Sequence, residues 1–508
     1  MPDRLFSKVL VANRGEIAIR IFRTCREQGI ETVAVFSEAD RQAPHVAAAG
    51  EAYAIGPPPA RDSYLVVDNI LEAARVSEAD AIHPGYGFLA ENADFAQSVI
   101  DAGLTWIGPP PAAMRLLGDK TAARKVAIEH HVPVVPGTPE PVVSTEEAIA
   151  AAVGIGYPVL LKAAAGGGGK GMRVVEAAED LEAAFRMASS EAGSAFGDDS
   201  VYIEKYIARP RHIEIQVMAD VHGKCLWYGE RECSVQRRHQ KIIEETPSPA
   251  LDPEMRTKIG AAAVELASAS GYVGAGTVEF LLEKDQFYFL EVNARLQVEH
   301  PVTEMVTGRD LVLDQLNIAA GRPLDLVQED VQPQGHAIEV RVYAEDPENN
   351  FFPSPGTITL IDPPAGQGVR HDSGVTAGSE VTLYYDPLIA KLITWAPDRP
   401  AAIRRMQRAL DEYQITGVTT IIPILGEILL QESFLSGEYD TTIVPQMQKE
   451  RKMGHSESDD ETVFLAALSA ALFHTVTGSG FLKDRECQTK PSLSPWVEKG
   501  RGERQWRR

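Results

Sequence analysis

Apolar and polar positions alternate along this chain in two rhythms. The apolar run KVLVAN gives way to GEIAIRIFRTCREQG, where Ile17, Ile21 and Phe22 recur at helical spacing, and then to the strand-like TVAVFS. Strand, amphipathic helix, strand is a βαβ unit, and the alternation continues over the first 110 residues, predicting a Rossmann-like domain. Only Gly15 occupies the first turn, too little for a dinucleotide fingerprint. After the strand ADAIH, HPGYGFLAEN (83–92) reads as a turn-rich loop, and WIGPPPAA marks a boundary because three prolines continue neither element type. Residues 133–205 form a compact α/β section. Residues 206–320 mix strands such as RHIEIQVMAD with a hairpin and a helix, and 335–445 read mostly as β, closing with the helices AAIRRMQRALDEY and IIPILGEILLQ. Beyond 446 the chain turns polar; TVFLAALSAALFHTV is its one helix-like segment, and GRGERQWRR reads as disordered. The expected domains are 1–113, 114–330 with a lid over about 133–205, 331–446, and an extension over 447–508.

Chemistry first shows in TVEFLLEKDQFYFLEVNAR, 277–295. Two apolar strands flank a turn at Lys284-Asp285-Gln286, a hairpin signal. Centring the turn on Asp285 sets Glu279 opposite Glu291, with Asn293 two residues on along the same face. Like charges directly opposite are destabilising, so the pair calls for a cation. Hard oxygen ligands with room for substrate oxygens suit Mg²⁺ (or Mn²⁺) bridging nucleotide phosphates. A solvated acidic face is the alternative, but EFLLE and FYFLEV are too apolar for a free hairpin.

A second signal is LLKAAAGGGGKGMRVV, 160–175. Four glycines lose much freedom on ordering, and strand-like flanks argue against a linker, so the run reads as a phosphate-covering loop. It is not a P-loop, because Gly171 stands where Ser or Thr would hold magnesium. Cationic side chains accompany it: Lys120 in GDKTAARK, Lys162 entering the run, and His239 with Lys241 in RRHQK, expected on one strand face through period-2 spacing. Arg295, Gln297 and Glu299 follow in NARLQVEHP, and Arg341 stands in AIEVRVYAE; the planar fork of Arg suits carboxylate-like anions. Glu299 reads equally as a helix-entry residue and as a base.

Composition narrows the classes. A chain of 508 residues needs several cores, and a net charge of −23 argues against a nucleic-acid partner. Cys25, Cys225, Cys233 and Cys487 lack metal or redox spacing and read as reduced thiols of a cytoplasmic protein. MPDRLFSKVLVANR passes into a strand without a signal-peptide pattern, and no apolar run reaches the ~18 residues of a membrane helix.

VANRGEIAIR, HPGYGFLAEN, GDKTAAR, GGGGKGMRVV, RHIEIQV, RRHQKIIEE, FLEVNARLQVEHPVTE and YYDPLIAKLI together resemble the biotin carboxylase component of biotin-dependent carboxylases, over residues 4–445. The resemblance implies a pre-ATP-grasp domain, an ATP-grasp domain with a mobile glycine-rich lid, and a β-rich C-terminal domain. It implies ATP contacts at Lys120, Lys162, Gly168, Gly169, Glu204, Lys205, Tyr206, Ile207, His212, His239, Glu279 and Glu291. Metal binding falls on Glu279, Glu291 and Asn293, and bicarbonate on Lys241, Arg295, Gln297 and Val298. Glu299 is then the base and Arg341 the contact to the biotin oxygen. The implied reaction joins ATP, bicarbonate and biotin, through carboxyphosphate, to give carboxybiotin, ADP and phosphate. Ala165 stands where some members carry a fifth glycine. The implied partners are a biotin carboxyl carrier protein, a carboxyltransferase subunit and a second copy of the chain, with no membrane. No Met-Lys-Met attachment turn is present, the nearest stretch being Arg451-Lys452-Met453, so biotin is expected on a separate chain. Rival readings are another ATP-grasp ligase, such as a carbamoyl phosphate synthetase half, or a nucleotide-binding regulatory relative; RLQVEHP with Arg341 speaks for bicarbonate and biotin.

Overall fold

The computed structural model describes residues 5–163, 172–196 and 199–454. Gly168 and Gly169, the rest of the glycine run, Cys487 and the helix-like segment 462–476 lie outside the described residues. The chain divides into two compact units, 1–445 and 446–508, and the first holds everything that follows.

Strands β1 (Lys8–Val11), β2 (Glu31–Ser37), β3 (Glu51–Gly56), β4 (Ala81–His83) and β5 (Thr105–Trp106) form a parallel sheet in the order β3-β2-β1-β4-β5. Val9, Leu10 and Val11 are all buried, as a parallel strand covered on both faces requires. Helix α1 (Gly15–Glu27) buries Ile17, Ala18, Ile21, Phe22 and Cys25, one stripe at helical spacing. Gly29, at φ +69, turns the chain out of it. The turn after β1 is tied to the HPGYG loop, since Asn13 Nδ2 donates to Pro84 O and Tyr86 O at 2.7 Å each. The crevice at this turn is filled by the chain itself. A Cβ at Gly374 would lie 2.7 Å from Glu16 N and 2.8 Å from Gly15 Cα, so the backbone of the C-terminal region rests on the start of α1.

A small module follows. Strands β6 (Val159–Ala163), β7 (Met172–Val175) and β8 (Val201–Lys205) form an antiparallel sheet in the order β7-β6-β8. Helices Thr145–Ile155 and Ala178–Phe196 close its own core, with Leu161, Val175, Leu181, Phe185 and Ile203 buried.

The largest sheet has eight antiparallel strands. It contains β9 (Arg211–Ala219), β10 (Cys225–Arg237), β11 (Gln240–Thr246), β12 (Gly274–Glu283), β13 (Gln286–Asn293) and β14 (His336–Tyr343). Their order is β13-β12-β9-β10-β11-β14, continued by strands Leu388–Ala396 and Val369–Ser373. One sheet thus joins the central and C-terminal regions, and helix His300–Thr307 packs Val302 and Val306 on Ala337 and Ile393.

Two local expectations are corrected. The hairpin loop is Lys284–Asp285 alone, with Glu283 paired to Gln286; Lys284 takes φ +53. A register shift between Glu279 and Phe280 then restores Glu279 opposite Glu291. His239 shares no strand face with Lys241. It sits with Arg238 in a two-residue turn between β10 and β11, at φ +66 and +49, and is exposed. A turn that needs two positive φ angles usually carries Asn or Gly, so Arg-His hid it.

Candidate active site

Register builds the site. Arg231 on β10 stands opposite Glu214 on β9, Glu214 opposite Glu279 on β12, and Glu279 opposite Glu291 on β13. One row of charge therefore crosses four strands. Lys241, on β11, reaches into it: its Nζ donates to Glu214 Oε2 at 2.5 Å, Glu279 Oε1 at 2.9 Å and Glu299 Oε1 at 2.8 Å. Arg231 is fully buried and donates to Glu214 Oε1 (2.5 Å), Gln216 Oε1 (2.8 Å), Thr277 Oγ1 (2.9 Å) and Thr303 Oγ1 (3.0 Å).

Glu299 enters helix His300–Thr307 at the N-cap position, yet its side chain caps nothing. Both its oxygens turn to cations instead, Oε1 to Lys241 and Oε2 to Arg341 Nη2 at 2.9 Å. Arg341 in turn donates Nε to Glu244 Oε1 at 2.6 Å. Burial alone would push the Glu299 carboxyl up, but Lys241, Arg341 and Arg231 outweigh it and hold the group well below its ordinary value. Glu279 is held down in the same way, by Lys241 and His212 against burial. Glu214 goes the other way: burial and the charge of Glu299 raise it. Lys241 is pushed above its ordinary value, since three carboxylates outweigh its own desolvation.

The metal-ligand candidates lie together. Asn293 Nδ2 donates to Glu279 Oε1 at 2.9 Å, and His212 Nε2 stands 2.9 Å from Glu279 Oε2 without hydrogen-bond alignment. Lys120 Nζ meets Glu291 Oε2 at 2.9 Å. Glu291 keeps about a third of its side chain exposed while Glu279 is buried. Two opposed carboxylates and an amide oxygen, one side open, form a hard-oxygen set that fits Mg²⁺ with room for phosphate oxygens. Among the described residues, ammonium groups balance these carboxylates.

Of the other expected residues, Arg295, Gln297 and Val298 adjoin this centre, whereas Lys162, Glu204, Lys205 and Tyr206 bond within or beside the small module. Arg295 donates Nε to Glu91 Oε2 at 2.9 Å, Nη1 to Gln297 Oε1 at 3.3 Å and Nη2 to Asn293 Oδ1 at 3.1 Å. Gln297 is buried, and Val298 O accepts from Lys391 Nζ at 2.7 Å. Lys162 donates to Glu204 at the end of β8. Lys205 is spent inside the small module, on Gly156 O and Tyr157 O at 2.9 Å each. Tyr206 N donates to Pro158 O at 3.1 Å, and Ile207 is buried. Sequence reasoning missed Glu214, Arg231, Glu244, Glu91 and Lys391, all tied to this centre by hydrogen bonds.

A family model described as "Biotin carboxylase, N-terminal domain" matches residues 5–114, and "Biotin carboxylase C-terminal domain" matches 339–446. Between them, "Carbamoyl-phosphate synthase L chain, ATP binding domain" matches 119–327. Biotin carboxylase 1 of Bacillus subtilis is 53% identical over 439 residues, 86% of this chain and 98% of that one. The chain belongs to the biotin carboxylase family. The chain shares the family's class, an ATP-dependent carbon–nitrogen ligase. A solved biotin carboxylase from Campylobacter jejuni, described as a β-γ-ATP complex, is 47% identical with a TM-score of 0.82. It covers 87% of this chain and 99% of that one. The biotin carboxylase domain of Hydrogenobacter thermophilus 2-oxoglutarate carboxylase, a dimer with MgADP, ADP and bicarbonate, is 48% identical at a TM-score of 0.81. It covers 87% of this chain and 97% of that one. No described helix is long and apolar enough to cross a membrane.

Proposed function

We propose that this chain uses ATP and bicarbonate to carboxylate biotin presented on a separate carrier protein, supplying a carboxyltransferase partner, and that it works as a homodimer in the cytoplasm. One observation carries the reading: a fully buried carboxylate, Glu299, is clamped between Lys241 and Arg341 beside the Glu279–Glu291 pair. Family models for the N- and C-terminal regions on either side of the ATP-binding one separate this from other ligases of the same nucleotide fold.

Lys241 and Arg295, with Gln297 and the backbone of Val298, bind bicarbonate. Glu299 takes its proton. As it stands in the structure Glu299 is too strongly held by cations to be a good base. An arriving anion that shares Lys241 adds negative charge beside it and raises its proton affinity, so the base is activated by its own substrate. The deprotonated anion attacks the γ-phosphorus of ATP, forming carboxyphosphate and ADP. Carboxyphosphate collapses to CO₂ and phosphate, and the phosphate removes the N1 proton of biotin. Arg341 donates to the ureido oxygen as N1 attacks CO₂. Mg²⁺ held by Glu279, Glu291 and Asn293 would neutralise the phosphate oxygens. Carboxyphosphate is short-lived in water, so residues 133–205 close as a lid, Lys162 with them, and keep solvent out.

Steady-state ATP hydrolysis by the purified chain tests this. Biotin and bicarbonate together should stimulate turnover. Turnover indifferent to biotin, but dependent on ammonia or an amino acid, would favour a rival ligase.

A further inference from the structure

Behind Arg341 lies a pair of carboxyls that the reaction above does not use. Strand register sets Glu244 on β11 directly opposite Glu339 on β14. Both side chains are fully buried. Glu244 accepts with one oxygen from Arg341 Nε at 2.6 Å; its other oxygen and both oxygens of Glu339 have no hydrogen-bond partner among the described residues. Arg341 follows Glu339 by two residues on β14, so the two share a face. Two ionised carboxylates in this arrangement would repel each other, with three oxygens unsatisfied, and buried polar groups seldom stay so.

Every element packed here contributes a charge. Arg341 stands beside Glu339 on β14, and Lys391 stands opposite Arg341 on the next strand. Glu299 faces them from the entry to helix His300–Thr307. On that helix, burial and the cations Lys391, Arg20 and Arg370 hold His300 neutral. Lys391 is already engaged by Val298 O at 2.7 Å and Glu16 Oε1 at 3.1 Å. Lys241, on the same strand as Glu244, lowers it and Glu214 on β9 raises it, but Lys241 is already shared among Glu214, Glu279 and Glu299.

We infer that Glu244 and Glu339 share one proton and together act as a positioning pair that anchors Arg341 while its far end changes partner. The inference rests on the carboxylation reading for the role of Arg341. In the structure Arg341 Nη2 is occupied by Glu299. Once Glu299 takes a proton from bicarbonate it loosens its hold, and Nη2 turns to the substrate oxygen. Nε stays on Glu244, provided Glu244 is ionised and Glu339 is neutral. Burial, against Arg341 and with Glu299 adding, lifts Glu244 to about 7, and burial lifts Glu339 well above its ordinary value. A second proton in acid releases the anchor, and loss of the shared proton in alkali sets two charges against each other.

Two measurements test the pair. Infrared spectra of the whole chain at pH 8 should show a protonated-carboxyl band that Glu339→Gln removes. Rates with biotin, measured across pH, should show an alkaline fall in the wild type that Glu339→Gln moves or abolishes, because an amide cannot lose that proton. Glu244→Gln should lower kcat by about tenfold or more with little change in KM for ATP, and flatten the acid limb. If Glu244→Gln does not fold, Glu339→Gln alone decides. Superimposable carboxyl bands in wild type and Glu339→Gln, or identical alkaline limbs, overturn the pair. The band needs no turnover. If it is present in a chain whose ATP hydrolysis ignores biotin, the shared proton stands and only the carboxylation reading falls.

Discussion

Replacing Arg231 by Met deletes the one cation in the charged row that never meets solvent. The guanidinium joins β9, β10, β12 and helix His300–Thr307 through four acceptors. Breaking a buried pair by removing one partner costs about 3–5 kcal/mol, because the other charge is stranded. Here the stranded group is Glu214, left with Lys241, which already answers Glu279 and Glu299. Glu214 is above its ordinary value in the native protein through burial and Glu299, and losing Arg231 raises it further. The sign follows. A carboxyl raised in the folded state binds a proton that the unfolded chain lacks, so the variant gains on the wild type as pH falls, until the unfolded carboxyl protonates near ~4.3. The gain is at most about 1.4 kcal/mol per pH unit. Urea unfolding of wild type and Arg231→Met, followed by circular dichroism at pH 8 and pH 6, should give a deficit of about 3–5 kcal/mol at pH 8 and less at pH 6. Arg231→Lys keeps the charge while losing the fork, so its smaller deficit should be flat with pH. A deficit for Arg231→Met below about 1 kcal/mol, or one equal at both pH values, would refute the argument.

Glu291→Gln should raise the Mg²⁺ needed for half-maximal ATP hydrolysis by about tenfold while leaving thermal stability nearly unchanged, since Glu291 is partly exposed; an unchanged Mg²⁺ titration would remove the hairpin from the metal site. Glu245 accepts from His336 Nε2 at 2.6 Å and Arg399 Nε at 2.7 Å, and against burial these partners lower it from 4.5 to about 2. Its stabilisation, about 3 kcal/mol, is complete above pH 4.5 and vanishes as pH falls to about 2. Glu245→Gln should therefore show a shallower loss of stability across that window in acid unfolding, and a slope equal to the wild type would count against it.

The Rossmann-like sheet and its first helix were legible because a parallel strand buried on both faces and a one-stripe helix leave different rhythms. The Glu279–Glu291 pairing was legible through two compensating differences: the loop is one residue shorter than the sequence suggested, and a bulge before Glu291 restores the count. His239 was misplaced because its turn lacks the residues that signal one. Arg231, Glu214 and Glu244 could not be found from alternation. On a two-layer reading, charged positions in a strand face water, whereas helix His300–Thr307 covers this face and the charges answer one another.

The contact of Gly374 with the first turn of α1 reaches beyond packing. In open parallel sheets the place where the strand order reverses, between β1 and β4 here, is where ligands usually settle. This chain plugs that place in its N-terminal sheet with its own backbone. Glu16, at the mouth of that plugged crevice, instead clasps Lys391, which in turn holds the carbonyl of Val298 beside the proposed base. The plugged crevice of the Rossmann-like sheet thus braces the proposed reaction centre. A side chain at 374 would act as a wedge there, pressing first on Gly15 and Glu16 and passing through Lys391 and Val298 to Glu299.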